Sequence, residues 1–247
     1  MLYQLLPPFR PQIQSHLHIT PRCTACLERR PSDMTMARSG VKTRMLILSD
    51  THGLPLEDKL PKQPIDVAIH CGDLTEESKL DEFRVTLRNL QAIDAPLKLV
   101  IAGNHDFTLD TPVFRKILEE ATPSIDEQLM RKEYGEYDEA RGLFMEAQSQ
   151  GIRFLDEGTH RFLLGNGGTL CVYASPCTPS LGESGFQYHP SQGHFYDIEE
   201  DTDSVLTHGP PQGIMGQNTF TGKGWRFGSL RSRRPSTAKA PLLRSHP

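Results

Sequence analysis

The sequence predicts an α/β fold in which a parallel sheet is followed by a second sheet. Three short apolar runs in the first half of the chain each end in polar residues, and an amphipathic segment separates the second from the third. This pattern is typical of parallel strands that are buried on both faces. From about residue 152 the pattern changes to short strands with glycine turns, which indicates a second sheet. A chain of 247 residues with 36% hydrophobic content can bury the core of one such domain with extensions.

The first half of the chain contains three predicted strands, over 44–48, 66–70 and 97–102. Thr75 is the predicted N-cap of the helix that joins the second strand to the third. Four residues give this helix one apolar face: Leu80, Phe83, Leu87 and Leu90. Thr111 as N-cap, with Pro112 at the first helical position, predicts another helix. A charged helical stretch over 124–149 is expected to decorate the domain rather than to build its core.

The second sheet is predicted to contain strands over 152–155, 161–164 and 169–174, with a hairpin turn at Asn166-Gly167-Gly168. A loop follows that contains Cys177 and Thr178. This loop is expected to face the substrate, although a purely structural turn fits the sequence equally well. A last strand is predicted over 204–207, directly before His208.

Charge is divided unevenly along the chain, whose net charge is −4. Residues 1–43 are predicted to form a disordered basic extension, 44–213 the folded domain and 214–247 a disordered basic tail. The stretch from 45 to 211 has a net charge of −16, and such an acidic region attracts cations. No nucleic-acid partner is expected, because no nucleic-acid-binding motif accompanies the basic tail.

The five cysteines are too few and too scattered for a disulfide scaffold, which favours a reducing, cytoplasmic location. Cys23 and Cys26 have the spacing of a zinc-binding pair, but no second pair supports such a site. No apolar run approaches the ~20 residues that a membrane helix needs, so no membrane partner is expected. The first residues lack the apolar core of a secretory signal.

Four predicted strands end in residues that bind divalent metal ions. In chain order these residues are Asp50 and His52, Asp73, Asn104 and His105, and His208. Carboxylate, carboxamide and neutral imidazole together suit Mn, Fe or Zn. A two-metal centre needs a bridging carboxylate, and Asp73 lies between the other groups in the sequence. The strand ends therefore predict a centre for two divalent ions.

The segments around these residues carry a family resemblance: Asp50-x-His52, Gly72-Asp73, Gly103-Asn104-His105-Asp106 and Thr207-His208-Gly209-Pro210-Pro211. In this order they resemble the calcineurin-like metallophosphoesterases, most closely the branch called metallophosphoesterase-domain-containing proteins, over about 44–213. The resemblance implies a two-sheet αββα sandwich. It also implies hydrolysis of phosphodiester or phosphomonoester bonds by a hydroxide that two metal ions activate, with a cyclic nucleotide among the candidate substrates.

The resemblance also implies a role for each motif residue. Asp50 and His52 would hold the first ion, Asp73 would bridge, and Asn104 and His208 would hold the second ion. His105 would protonate the leaving alkoxide rather than bind metal. Supporting positions around the ions or the substrate would be Gly103, Asp106 and Gly209.

One motif of the family is absent from this sequence. The family has a later Gly-His-x-His-type element that completes the metal shell, whereas the only histidine after His208 is His246. We therefore expect a sandwich truncated at its C-terminal end. The alternative to an active phosphoesterase is a catalytically impaired family member, acting as a binding scaffold or existing as an unstable truncated product.

Overall fold

A four-stranded parallel sheet forms the centre of the protein. The computed structural model describes residues 41–56, 60–121, 126–182 and 184–209. The sheet contains β1 (Met45–Leu48), β2 (Val67–Cys71), β3 (Leu97–Ile101) and β4 (Ile152–Phe154), hydrogen-bonded in that order. All three pairings are parallel, with Leu46 opposite Ala68 and Ile69 opposite Leu99. Parallel strands bring their carboxyl ends to one edge, which is where sites form in α/β sheets.

A second sheet lies against the first. It contains β5 (Gly158–Leu163), β6 (Thr169–Ser175) and, further along the chain, Ser204–Thr207. Between them, β7 (Thr178–Pro179) and β8 (Gln187–Tyr188) form a short parallel pair, so Ser204–Thr207 is β9. β5 is antiparallel to β6 through the predicted turn at 166–168, and β9 is parallel to β6. The predicted hairpin is confirmed.

Within the described ranges, four α-helices connect and cover the strands. They are α1 (Leu80–Ala92), α2 (Thr111–Glu120), α3 (Glu127–Tyr134) and α4 (Glu139–Glu146). Short 3₁₀ turns precede α2 at Phe107–Leu109 and follow α4 at Ala147–Gln150. Among the described residues, no helix is long and apolar enough to cross a membrane.

Alternating side chains of the parallel sheet build two cores. Val67, Ile69, Leu99 and Ile101 pack with second-sheet residues such as Val172 and Leu206. Ala68 and Val100 point the other way and pack with Phe83 of α1 and Phe144 of α4. The order is therefore helices, parallel sheet, second sheet, which confirms the α/β class and supplies three layers of the expected αββα sandwich. The expected truncation concerns residues after 213, which lie outside the described residues, as do residues 1–40 of the predicted extension and the predicted tail.

Two predictions about the middle of the chain were wrong. Residues 152–155 do not join the second sheet: β4 pairs with β3, with Lys98 opposite Ile152. A three-residue strand carries too little pattern to specify its sheet, and the crossover through α4 decides it. The charged stretch also contributes to the core, because Ala140, Phe144 and Ala147 are buried.

Two predicted helix starts also shift. The first helix begins at Leu80 rather than next to Thr75, because Ser78 has a left-handed φ of 61° that interrupts the helical path. The Thr75 hydroxyl still accepts the Ser78 N–H, at 3.2 Å. The next helix takes Asp110 as its N-cap, whose side chain accepts the Val113 N–H, so Thr111 is already helical.

Candidate metal centre

The loops after β1 and β2 run side by side at the carboxyl edge of the parallel sheet. The Asp50 N–H donates to the Gly72 carbonyl at 3.0 Å, and the His52 N–H donates to the Asp73 carbonyl at 3.1 Å. These bonds continue the parallel pairing beyond the strands. As a result, Asp50, His52 and Asp73 lie on adjacent loops rather than on one strand.

Three candidate ligands have left-handed backbone conformations. Their φ angles are 54° for Asp50, 49° for His52 and 52° for Asp73. Such conformations are uncommon for residues other than glycine and cost about 1–3 kcal/mol each. Backbone strain concentrated on three neighbouring polar residues is typical of a functional site.

Glycines next to the ligands allow the strand ends to approach each other. Gly72 has a φ of 97°, and a Cβ there would lie 2.6 Å from both the Ala102 carbonyl oxygen and His208 Nδ1. A Cβ on Gly103 would collide with the Asp73 backbone nitrogen and Oδ1, and would lie 2.8 Å from His208 Cε1. The absence of side chains at these two positions is therefore a condition for the geometry of the site.

His208 reaches the site from the second sheet. Its Nδ1 donates to the Cys71 carbonyl at 2.9 Å, which points Nε2 toward the centre. Nε2 lies 3.2 Å from Asp73 Oδ1 and 3.1 Å from Asn104 Oδ1. The end of β9 thus meets the ends of β2 and β3.

Electrostatics couple His208 with Asp73. Burial opposes ionisation of both groups, but their mutual hydrogen bond and charges outweigh it. The pKa of His208 is raised to about 9, and the pKa of Asp73 is lowered below its usual value. The negative charge of Asp73 therefore favours positive charge at His208 Nε2, the place where a cation would bind.

His52 and His105 form the other side of the site. The Nδ1 atoms donate to consecutive backbone carbonyls, His52 to Thr75 at 3.1 Å and His105 to Glu76 at 2.7 Å. The two rings meet edge to face with centroids 4.9 Å apart. His52 Nε2 lies 4.0 Å from Asp73 Oδ2, and the His105 N–H donates to Asp73 Oδ1 at 3.0 Å.

The three imidazoles share one arrangement that suits metal binding. In His52, His105 and His208, Nδ1 donates to a backbone carbonyl, so Nε2 remains available. Histidines that bind metals usually hold their second ring nitrogen in this way, because it fixes both the ring orientation and the tautomer.

The donor atoms form two groups that share Asp73. One group is His52, Asp73 and His105, and the other is Asp50, Asp73 and His208; within each, the donor atoms lie within 4.8 Å of one another. The chemistry of these donors fits divalent cations. All six predicted residues of the centre thus lie together. The resemblance, however, paired Asp50 with His52, whereas the two groups place Asp50 with His208.

Asp106 holds the strand-end loops in place. Its carboxylate accepts hydrogen bonds from the backbone amides of Leu74, Thr75 and Gly103, and from the Thr75 hydroxyl at 2.8 Å. Burial is the largest influence on this carboxyl and raises its pKa to about 6. Gly209 lies elsewhere, beside Thr178, and its carbonyl accepts the Thr207 hydroxyl at 2.8 Å.

Two contributors were not among the predicted site residues. Glu76 contacts both histidines of one side: its Oε2 lies 3.1 Å from His52 Nδ1, and its carbonyl binds His105. His70 is fully buried beneath the first loop, with Nε2 2.8 Å from the hydroxyl of Thr51. Burial, followed by the charge of His208, lowers the pKa of His70 to about 3, so it is neutral there. The signal in the sequence was Thr51, which lies between Asp50 and His52 and whose hydroxyl needs a partner such as His70.

An α/β sandwich with carboxylate, imidazole and carboxamide donors at one sheet edge is characteristic of metal-dependent hydrolases. The chain belongs to the calcineurin-like phosphoesterase family, whose family model matches residues 43–240. The predicted family is therefore confirmed. This family comprises metal-dependent phosphoesterases.

Individual curated proteins are also similar to this chain. The chain is 31% identical over 170 residues to the probable rhamnogalacturonate lyase C of Emericella nidulans, covering 68% of this chain and 14% of that protein. It is 29% identical over 180 residues to metallophosphoesterase domain-containing protein 1 of Homo sapiens and of Mus musculus, covering 70% of this chain and 50% of those proteins. The chain thus spans half or less of the length of these curated relatives.

Proposed function

We propose that this chain hydrolyses phosphate esters, with phosphodiesters as the preferred class, at a centre that holds two divalent cations. The observation that carries the proposal is the position of Asp73, which belongs to both donor groups. A carboxylate shared between two sets of donors is what a bridged pair of ions requires. The oriented Nε2 atoms of His52 and His208 support the same conclusion.

The donor atoms of the site suit Mn, Fe or Zn. When bound, they lower the pKa of a water molecule and neutralise phosphoryl oxygens. Asp73 would contribute to the binding of both ions, while Asp50, His52, Asn104 and His208 would complete the two sets of donors. Gly72 and Gly103 allow the strand ends to lie close enough for Asp73 to belong to both sets of donors.

His105 acts as the general acid in this proposal. Its Nδ1 is bound to the Glu76 carbonyl, so Nε2 is the nitrogen available for proton transfer. As a water oxygen bonds to phosphorus and the bond between phosphorus and the leaving oxygen breaks, the leaving oxygen takes the Nε2 proton and departs as an alcohol. Glu76 keeps the ring in position for this step.

Three finer assignments belong to the same proposal. We propose manganese as the working metal, a cyclic nucleotide as one candidate substrate, and the cytoplasm as the compartment. The three cysteines of the described residues, Cys71, Cys171 and Cys177, are free thiols, which supports a reducing compartment.

The test measures metal content per chain together with hydrolysis of a bis-aryl phosphodiester in the same manganese-supplemented sample. We expect two ions per chain, and turnover that Asp73→Asn abolishes together with at least one ion. The matched control is Asp81→Asn, because the Asp81 side chain is 91% exposed on α1 and should affect neither quantity.

Two outcomes would contradict the proposal. Unchanged turnover in Asp73→Asn would place the chemistry elsewhere. If the parent protein binds one ion or none and shows no turnover, the chain is instead a catalytically impaired family member that retains the motif residues without activity.

A further inference from the structure

A second cluster of metal-binding side chains lies outside the metal centre. It contains Glu157, between β4 and β5, Cys177, between β6 and β7, and His194, in the segment after β8. Their donor atoms lie within 4.8 Å of one another, and none of the three belongs to the donor groups around Asp73. Three separate segments of the chain therefore deliver a carboxylate, a thiol and an imidazole to one point.

We propose that Glu157, Cys177 and His194 bind a Zn²⁺ ion, and we call this cluster the zinc site. Thiolate and imidazole together select zinc over the harder cations, and a carboxylate is the third common zinc ligand. The combination differs from the metal centre, in which no thiol is among the donors.

The distances are close to those that zinc requires. Tetrahedral Zn²⁺ needs donor atoms about 3.5 Å apart, given its bond lengths to nitrogen, oxygen and sulfur. Cys177 Sγ lies 3.9 Å from Glu157 Oε2, and His194 Nε2 lies 2.6 Å from Glu157 Oε1. The second pair is shorter because the two groups are hydrogen-bonded to each other. A bound ion would replace that hydrogen bond and increase the distance between the two atoms by about 1 Å.

Neighbouring tyrosines hold the ligands in place. The Tyr173 hydroxyl donates to Glu157 Oε1 at 3.2 Å. The Tyr188 ring stacks on the His194 ring with centroids 5.1 Å apart, and the Tyr196 ring meets it edge to face at 4.8 Å. Such outer contacts fix the orientation of ligands before the ion arrives.

A cavity provides room for a fourth ligand. It has a volume of about 550 Å³, and both Glu157 and Cys177 form part of its wall. The lining also includes Asp110, Asp138 and Arg141. Three protein ligands with one position open to a cavity are typical of zinc sites that bind water or a small molecule.

Cobalt absorption tests the zinc site directly. The experiment uses the full chain with Cys23→Ser and Cys26→Ser, so that this pair cannot contribute, after the metal centre has been loaded with Mn²⁺. Titration with Co²⁺ is expected to produce a near-ultraviolet cobalt–thiolate charge-transfer band, which Zn²⁺ then removes because it binds more tightly. The ligands of the metal centre cannot produce this band, so the result is independent of the proposed hydrolysis.

Three further variants identify the ligands. Cys177→Ser should abolish the band, and His194→Gln should move its appearance to at least about tenfold higher cobalt concentration. Tyr173→Phe should weaken cobalt binding about tenfold through the loss of its hydrogen bond to Glu157. Far-ultraviolet circular dichroism and manganese content confirm that each variant is folded. Absence of the band in the starting protein, or its persistence in Cys177→Ser, would overturn the proposal.

Discussion

At the scale of single residues, the metal centre depends on glycines next to the ligands as much as on the ligands themselves. Gly103 has no side chain at the point where Asp73 and His208 come together. The ligand loops themselves hold left-handed conformations at Asp50, His52 and Asp73. The chain thus accepts local strain to bring polar groups to one point.

Gly103→Ala should damage the metal centre. The added Cβ would collide with the Asp73 backbone nitrogen and Oδ1, so Asp73 must move away from its shared position. We expect the loss of at least one bound ion and a fall in turnover of 100-fold or more, an estimate of about 3 kcal/mol in transition-state stabilisation. Metal analysis and diesterase assays measure both effects.

Gly142→Ala is the matched control for this substitution. Gly142 lies in α4 with nothing within 4 Å of the added Cβ, so alanine should raise helix stability by up to about 1 kcal/mol and leave metal content unchanged. Equal metal content in Gly103→Ala and in the parent protein would contradict the proposed geometry.

His70 should make the folded protein sensitive to acid. The unfolded chain protonates His70 below about pH 6.5, whereas burial keeps it neutral in the fold until about pH 3. The unfolded state therefore binds more protons in this window, and stability falls as the pH falls through it. Between pH 6.5 and pH 5 the loss is about 2 kcal/mol. Bound cations act in the same direction, because positive charge opposes protonation of His70.

Urea unfolding at the two pH values tests this dependence. His70→Gln keeps a neutral polar group but cannot take up a proton, so its stability should change less with pH than that of the parent protein. His189→Gln, at an exposed histidine, should retain the parent behaviour. If the parent protein and His70→Gln have the same pH dependence, the buried neutral histidine is not the cause.

At the scale of elements, the turn before α1 connects a helix to the metal centre. The Glu82 carboxylate accepts the backbone N–H groups of Glu76, Glu77 and Lys79, at 2.9 Å for Lys79. The same turn carries the Thr75 and Glu76 carbonyls that orient His52 and His105. One side chain of α1 thus supports both histidines indirectly.

Glu82→Ala should weaken both stability and metal binding. Three amides lose their acceptor, which costs about 1–3 kcal/mol of unfolding free energy. Freed movement of the turn should reduce manganese affinity about tenfold. Denaturant unfolding and manganese titration measure the two effects. Arg88→Ala, at an exposed position on the same helix, is the control. Equal manganese affinity in both variants would show that the turn does not influence metal binding.

At the scale of the whole molecule, the metal centre joins the two sheets. Asp50, Asp73 and Asn104 follow strands of the parallel sheet, and His208 follows β9 of the second sheet. Cations held between them would therefore link the two sheets in addition to their hydrophobic contact. Since the unfolded chain lacks the preformed site, bound metal should stabilise the fold.

Manganese should therefore raise the unfolding free energy by about 2.7 kcal/mol at a concentration 100 times the dissociation constant of one ion. His208→Ala should remove much of this gain, because it eliminates the donor from the second sheet. Thermal unfolding with and without Mn²⁺ measures the gain. His189→Ala should keep the full gain, since His189 is exposed and its side chain bonds to nearby Ser191. An equal gain in His208→Ala would show that the ions do not connect the sheets.

The sequence by itself indicated three of the four strands of the parallel sheet and the polar residues that meet at their carboxyl ends. Short apolar runs that end in Asp50, Asp73 and Asn104 are local signals, and parallel pairing brings the carboxyl ends of neighbouring strands together. The same logic predicted that His208 follows a strand. The buried face of α1 could also be predicted, because its apolar residues recur every three or four positions, which is a local pattern.

Only the tertiary structure decided which distant segments meet. The pairing of β4 with β3 and the burial of Phe144 follow from a crossover whose direction no local pattern records. Glu157 and His194 stand in segments of ordinary composition, and packing of separate loops brings them to Cys177. Periodicity reports which face of an element is buried, whereas contacts between loops depend on sheet order and register. For that reason the residues of the candidate metal centre could be predicted from the sequence, whereas the meeting of Glu157, Cys177 and His194 could not.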